Sequence, residues 1–229
     1  MLKAHSSSSS KRISGRDRKA SIIRSAAALF AEKGFSGTKT REIAARAGVS
    51  EALIFKHFPS KHELYAAILA EKSPVPQLLS RIKNLAQQRK DQEVFTVIAE
   101  TIVRGAPDHN LMRLILFSAL ESHELSDMFF QNHIKMFYDF LAGYIEERIQ
   151  EGAFQRVPPL IAARSFMGML IYHRLLIVLF GAQLTHDPHE IVQTFVSVFM
   201  EGLRKSHTRR QPQRPSTKKS QAKRKPRTS

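Results

Sequence analysis

The 229-residue chain contains no cysteine. This absence excludes a disulfide framework and thiolate chemistry, and it fits a protein of the reducing cytoplasm. The first twenty residues are polar, with a serine run at residues 6–10, so we predict no secretory signal sequence. The sequence also lacks a GxSxG motif, a phosphate-binding glycine loop and a paired metal motif. We therefore expect no enzyme, no catalytic residues, no metal and no cofactor.

Long apolar runs are also scarce. The longest, residues 165–181, is slightly shorter than a membrane span, and His173 and Arg174 interrupt it. We expect a buried helix there and no membrane partner. The HDPHE stretch at residues 186–190 fits neither HExxH nor its inverse, and a helix start at Asp187 explains most of its residues.

Acidic residues are absent from the C-terminal end. Of the formal net charge of +16, residues 1–19 contribute +5 and residues 204–229 contribute +11, so the segment between them is neutral. Tails rich in Ser, Lys, Arg, Pro and Gln bury too little apolar surface to fold, and their charge attracts polyanions without specificity. We predict disordered basic tails at residues 1–16 and 206–229.

The body between the tails has helical periodicity almost throughout. In the first helix, Ile22, Ala26 and Phe30 fall on one face, with Asp17 as a plausible cap. Lys33-Gly34 predicts a glycine ending in which Phe35 folds back on Phe30. Thr38 is then a candidate cap for a short second helix that ends at Gly48. These signals predict an all-α protein.

A third helix follows Gly48 after a short turn. Ser50 is its candidate cap, Pro59 stops it, and Ile54 and Phe58 form an apolar pair at i, i+4. A Ser-x-x-Glu capping box at residues 60–63 starts the next helix. Two short helices joined by a glycine turn indicate a helix-turn-helix.

The outer side of the third helix carries unusual residues for a solvated surface. If Ile54 and Phe58 point inward, Glu51, Ala52, Phe55 and Lys56 point outward. A short, small front end at residues 50–52 can approach base edges in the major groove, where a glutamate can accept from cytosine. The alternative is a small helical subdomain whose third helix simply faces solvent.

The stretch TREIAARAGVSEALIFKHFPSKHEL, with the preceding LFAEKGFSGTKT, resembles the DNA-binding head of the TetR/AcrR family of bacterial transcriptional regulators. The resemblance covers about residues 18–70. It implies a three-helix DNA-binding head at residues 17–73 and a helical ligand-binding and dimerisation domain at residues 74–205. The residues expected to contact DNA are Thr38, Thr40, Arg41, Ser50, Glu51, Ala52, Phe55, Lys56, His57 and Lys61.

The second domain has longer helices, predicted at about 77–89, 92–105, 110–121, 126–150, 159–179 and 188–205. The last two are apolar on more than one side, so either the domain interior or a second copy must cover them. By resemblance we expect a homodimer that reads palindromic half-sites in double-stranded DNA. The predicted interface residues are Phe166, Leu170, Leu175, Ile191, Phe195 and Phe199.

The middle helices of this domain are rich in aromatic residues and methionine. A hydrophobic core is the default interpretation, and the resemblance implies a cavity there for an unidentified small-molecule effector. The candidate ligand contacts are Phe117, His123, Phe130, His133, Phe137 and Tyr172.

Two functions remain open from the sequence. The first is a dimeric cytoplasmic repressor that a small molecule releases from its operator. The second is a nucleoid or architectural DNA-binding protein in which the basic tails supply most of the affinity.

Overall fold

The structure is a computed structural model that describes residues 14–105, 110–121, 127, 129–183 and 185–204. The described residues form α-helices joined by turns, with one isolated antiparallel bridge between Phe154 and Arg204. The helices are α1 Gly15–Gly37, α2 Thr40–Ala47, α3 Glu51–His57, α4 Lys61–Lys72, α5 Val75–Gln87, α6 Asp91–Arg104, α7 Asn110–Leu120, α8 Lys135–Gln150, α9 Pro159–Phe180 and α10 Pro188–Leu203. A π-helical segment, Phe130–Ile134, precedes α8. The all-α prediction is confirmed.

Side-chain caps fix several helix starts. The Ser50 and Ser60 hydroxyls accept from the amides of Leu53 and Glu63, and Asp187 accepts from the amide of His189. These three predicted caps are confirmed. The predicted cap of α1 is wrong by three residues: the Ser14 hydroxyl accepts from the Asp17 amide, and Asp17 accepts in return. Gly15 and Arg16 lie within the predicted tail at residues 1–16 but are helical.

Two glycines with positive φ shape the head. Gly48 is left-handed (φ 67°, ψ 36°), and the Val49 amide donates to the Ala44 carbonyl at 3.0 Å, which is the predicted glycine ending of α2. Gly34 has φ 74° but an extended ψ of 174°, so it kinks α1 rather than ending it. The rings of Phe30 and Phe35 still stack, with centroids 5.5 Å apart, as the sequence indicated.

The buried side chains form two clusters. The first, the head core, contains residues of α1–α4 up to Leu69 and also Leu114 of α7 and Phe129. The second begins at Val75 and joins α5, α6, α8, α9 and α10, with Phe95 packed against Phe166 and Phe199. Helix α7 packs on α1, so a helix that follows α5 and α6 along the chain completes the head core.

Helix α9 is long and apolar enough to cross a membrane, judged by length and composition alone. In this structure, 28% of its most apolar 18-residue stretch is buried. Three exposed apolar side chains, Ile161, Tyr172 and Leu179, follow one side of the helix, and Leu160 and Phe180 are exposed near its two ends. On α10, Val198 is exposed as well. We call Ile161, Tyr172, Leu179 and Val198 the outer face. The isolated chain thus leaves an apolar helix side uncovered, and the expectation of a buried helix holds for only part of α9.

Candidate nucleic-acid interface

Helices α2 and α3 form a compact two-helix unit on α1. The small Ala44 side chain is buried and lets the helices approach closely. Two surface ion pairs tie α2 to α1: Lys33 to Glu42 and Arg46 to Glu32, each at 2.9 Å. The hydrogen bond from Lys33 is the main reason that the pKa of Glu42 lies below its ordinary value. Exposed pairs such as these stabilise weakly, so apolar packing holds the unit together.

Helix α3 presents its front end to solvent. Ile54 and Phe58 are buried in the head core, with 1% and 4% of their surface exposed. Glu51, Ala52 and Lys56 are exposed, and Phe55 is 45% exposed. The predicted inward and outward sides of this helix are therefore confirmed. A glutamate and an alanine at an exposed helix tip leave room for close approach to base edges.

Thr38 does not fit its predicted role. Its side chain is 1% exposed, and its hydroxyl donates to the carbonyls of Gly34 (2.8 Å) and Leu29 (3.2 Å). Thr38 is the residue that directly follows α1, and it does not cap α2. At the start of α2, the Lys39 amide donates to the Glu42 carboxylate. Thr38 therefore holds the α1–α2 connection, and its expected phosphate contact is corrected.

Lys61 is also committed within the head. Its ammonium donates to the carbonyls of Phe35 (2.7 Å) and Thr38 (2.9 Å) and lies 4.2 Å from the centre of the Phe35 ring. Burial lowers the pKa of Lys61, and the nearby charge of Glu121 opposes that shift. Lys61 therefore ties α4 to the α1–α2 connection, and its expected contact with phosphate stays a prediction.

The other candidates surround α3. Arg41 is exposed on α2, Thr40 is half-buried at its first position, and Ser50 is exposed as the cap of α3. His57 is half-buried, with its ring 6.3 Å from that of Phe58. Together with Glu51, Ala52, Phe55 and Lys56 they give a contiguous set, and their contact with DNA stays a prediction.

One cation beside this set, Lys19, is not among the predicted DNA contacts. The Lys19 ammonium of α1 lies 5.5 Å from the centre of the Phe58 ring, immediately after α3. The available signal was spacing: Lys19 precedes the buried Ile22, Ile23 and Ala26 by three, four and seven residues, so it continues their side of α1 toward α3.

Two family models match the chain. One, described as bacterial regulatory proteins of the tetR family, matches residues 22–68. The other, described as the C-terminal domain of AefR-like transcriptional repressors, matches residues 94–202. The first match contains the whole unit of α2 and α3. The chain belongs to the TetR family.

Individual relatives agree with this membership. A helix-turn-helix transcriptional repressor of Mycobacterium tuberculosis is 46% identical over 50 residues, which is 22% of this chain and 27% of that protein. The fatty acid degradation regulator FadR of Bacillus halodurans superposes with a TM-score of 0.65 at 21% identity, covering 81% of this chain and 99% of that one. AibR, in complex with isovaleryl coenzyme A and operator DNA, gives 0.60 at 24%, covering 79% and 97%. At these identities the two structures establish the fold.

Half of the predicted dimer residues of this TetR-family chain point inward. Phe166 and Leu170 are fully buried and Phe199 is 8% exposed, because they pack with Phe95 in the second core. These three predictions are wrong: the apolar residues of α9 and α10 were too numerous to assign to a side from sequence. Leu175, Ile191 and Phe195 are half-buried and stay predictions.

The predicted ligand contacts are scattered. Phe137 is buried in the second core, Phe117 is half-buried, and Phe130 is 43% exposed. His133 lies in the π-helical segment, and its buried Nδ1 has no hydrogen-bond partner among the described residues. Tyr172 is corrected, because its 63% exposed side chain lies on the outer face. His123 lies outside the described residues.

A groove of about 250 Å³ lies between α6 and α10. Gln92, Val196, Met200 and Arg204 contribute to its lining, and none of the predicted ligand contacts does. Within the described part of the chain, no group of three or more His, Asp or Glu side chains could hold a metal ion.

Proposed function

We propose that this TetR-family protein is a dimeric, sequence-specific transcriptional repressor that leaves its operator when a small molecule binds the second domain. The observation that carries the proposal is the orientation of α3: its apolar side is buried, and its N-terminal end at Glu51 and Ala52 is exposed. A helix-turn-helix inserts such a front end into the major groove. The relatives named above are regulators, which favours this function over an architectural one.

The outer face supports a homodimer. Ile161 is 56% exposed and Val198 is 58% exposed, on the last two helices. A monomer seldom leaves several large apolar side chains uncovered on one helix side, and a second copy can bury them symmetrically. A symmetric dimer would present two α3 helices to half-sites about 34–36 Å apart, or a multiple of that spacing.

The relatives suggest which effectors to test first. One compared structure is a fatty acid degradation regulator, and the other contains isovaleryl coenzyme A. We propose an acyl compound as the effector, either an acyl-CoA thioester or a free fatty acid, bound by apolar contacts with few polar anchors. Release then requires only that the effector prefer one state of the dimer, by about 1–3 kcal/mol. Such a regulator acts in the cytoplasm, where operator DNA and acyl-CoA meet.

Selection of bound duplexes from a random pool tests the DNA-binding function. We expect enrichment of a palindrome with fixed half-site spacing, because two identical heads related by symmetry read identical sequences. Isovaleryl-CoA, longer acyl-CoA thioesters and free fatty acids are then added to the complex with the selected duplex, with free coenzyme A as the control. Enrichment without any palindrome would contradict a dimeric reader, and no release by any acyl compound would contradict the proposed effector class.

A further inference from the structure

Two sets of cations in the described head differ in what they contact. Lys33, Arg46 and Lys61 are held internally by ion pairs or carbonyl oxygens. Arg16 and Lys19, in the first turns of α1, are exposed and have no ion pair among the described residues. The only acid among residues 15–19 is Asp17, whose carboxylate accepts from the Ser14 amide and hydroxyl. This end of α1 therefore carries excess positive charge.

The direction of this charge follows from one contact. Lys19 lies over the ring of Phe58, the residue that ends α3. Arg16 is three residues earlier, on the same side of α1 and about 4.5 Å closer to the start of the helix along its axis. Arg24, five residues after Lys19, points about 140° away around the helix axis and is also exposed. The first turns of α1 therefore lie next to the end of α3 and place two cations beside it.

We propose that Arg16 and Lys19 form a second phosphate-binding element, which contacts the DNA backbone next to the groove that α3 enters. The proposal rests on the proposed DNA-binding function. Duplex DNA carries one negative charge per about 1.7 Å of its axis. When the head inserts α3 into the groove, the cations beside α3 therefore come close to backbone phosphates. Backbone contacts of this kind fix the register of the head and carry no sequence information. Because the Ser14 and Asp17 cap occupies the start of α1, the side-chain charges supply this contact.

The test compares Arg16→Gln and Lys19→Gln with Arg24→Gln in the full chain. Each variant removes one exposed charge from the same helix, and Arg24→Gln is the matched control, which lies about 140° around the axis from Lys19 and about 12 Å along the helix from Arg16. Affinity for the selected duplex and for random duplex is measured at several salt concentrations, with thermal unfolding to verify the fold. Each lost phosphate contact reduces the slope of log affinity against log salt by about 0.9, or about 1.8 for a dimer with two heads.

We expect Arg16→Gln and Lys19→Gln to weaken binding to both duplexes by a similar factor. That factor should shrink about tenfold between 50 and 200 mM salt, and the preferred sequence should not change. Arg24→Gln should match the unaltered protein. The proposal is overturned if Arg16→Gln behaves like Arg24→Gln, or if the losses occur on one sequence only. If the unaltered protein shows no sequence preference, the proposed function fails instead, and the comparison on random duplex still decides the role of the two cations.

Discussion

The Tyr65 hydroxyl on α4 donates a hydrogen bond to the Leu114 carbonyl on α7 at 2.9 Å, and both residues are about 1% exposed. Burial raises the pKa of Tyr65 to about 12. Helix α7 also contacts α1: the Arg113 guanidinium donates to the Ala31 carbonyl at 3.3 Å, and Glu121, directly after α7, accepts from the Ser36 amide at 3.4 Å. Helix α7 is therefore attached to the head by packing and by polar contacts along its length, so a change in the second domain that moves α7 has a direct route to the head.

Tyr65→Phe should lower the free energy of unfolding by about 1 kcal/mol at pH 8, because one buried hydrogen bond is lost. The effect should change with pH. The folded state retains the tyrosine proton between pH 10, its ordinary pKa, and about pH 12, so the unaltered protein loses stability as pH rises through that window. Urea unfolding of both proteins from pH 8 to pH 12 measures this. An advantage of the unaltered protein that stays constant up to pH 12 would contradict the raised pKa.

Thr38→Val and Thr40→Val separate a structural threonine from a DNA contact. Thr38→Val removes the buried hydroxyl that bonds to Gly34 and Leu29, so it should cost about 1–3 kcal/mol of stability and leave the salt slope of DNA binding unchanged. Thr40→Val should keep stability within about 0.5 kcal/mol and weaken DNA binding. Denaturant unfolding and binding titrations measure the two quantities. The reverse pattern would restore the phosphate role of Thr38.

Asp91→Asn tests a partly buried ion pair of the second domain. The Asp91 carboxylate accepts from the Arg148 Nε and Nη2 atoms at 2.8 Å and also from the Tyr144 hydroxyl, and both charged side chains are under 20% exposed. Removing one partner of such a pair should cost about 3 kcal/mol. The control is Glu147→Gln, which breaks an exposed pair with Arg89 and should cost under about 1 kcal/mol. Equal costs in urea unfolding would show that burial contributes nothing to the Asp91 pair.

Ile161→Asp tests the outer face. A charge placed within an apolar dimer interface should shift the protein from dimer to monomer in sedimentation experiments at micromolar concentration. Leu120→Asp is the matched control, because Leu120 is an exposed aliphatic residue on α7 (82% exposed) and lies outside α9 and α10. Dimers that persist with Ile161→Asp, or dissociate equally with Leu120→Asp, would place the interface elsewhere.

The sequence predicted those features that depend on neighbours along the chain. The caps at Ser50 and Ser60 and the left-handed Gly48 each follow from a few adjacent residues, and so does the burial of Ile54 and Phe58 once the helix is recognised. The last helix of the second domain is also close to its prediction, with 188–205 expected and Pro188–Leu203 observed, whereas the helix expected at 126–150 has a π-helical segment before α8 begins at Lys135. Local hydrogen bonds and periodic burial decide these features, and both are visible in the sequence.

The errors and the missed contacts involve distant segments of the chain. Whether Thr38 bonds to phosphate or to the Leu29 carbonyl depends on how the chain turns after Gly34. Likewise, Lys61 reaches the Phe35 carbonyl only because α4 packs against the end of α1. On α9, apolar residues occur on nearly every side, so the periodicity could not distinguish the buried Phe166 from the exposed Ile161. The hydrogen bond between Tyr65 and Leu114 attaches α7 to the head core. These residues are 49 positions apart, so no local sequence pattern predicts the contact.

The central claim is that the front end of α3 reads bases, and Glu51→Ala tests it most directly. Affinity is measured for the selected duplex, for its single-base variants and for random duplex, with Glu71→Ala on α4 as a control that removes an equal charge from an exposed position. We predict that Glu51→Ala relaxes the preference at one or two base pairs of each half-site, by about 1–3 kcal/mol each, and that random duplex is bound as before. Equal losses on selected and random duplexes, or an unchanged preference at every base pair, would contradict the account.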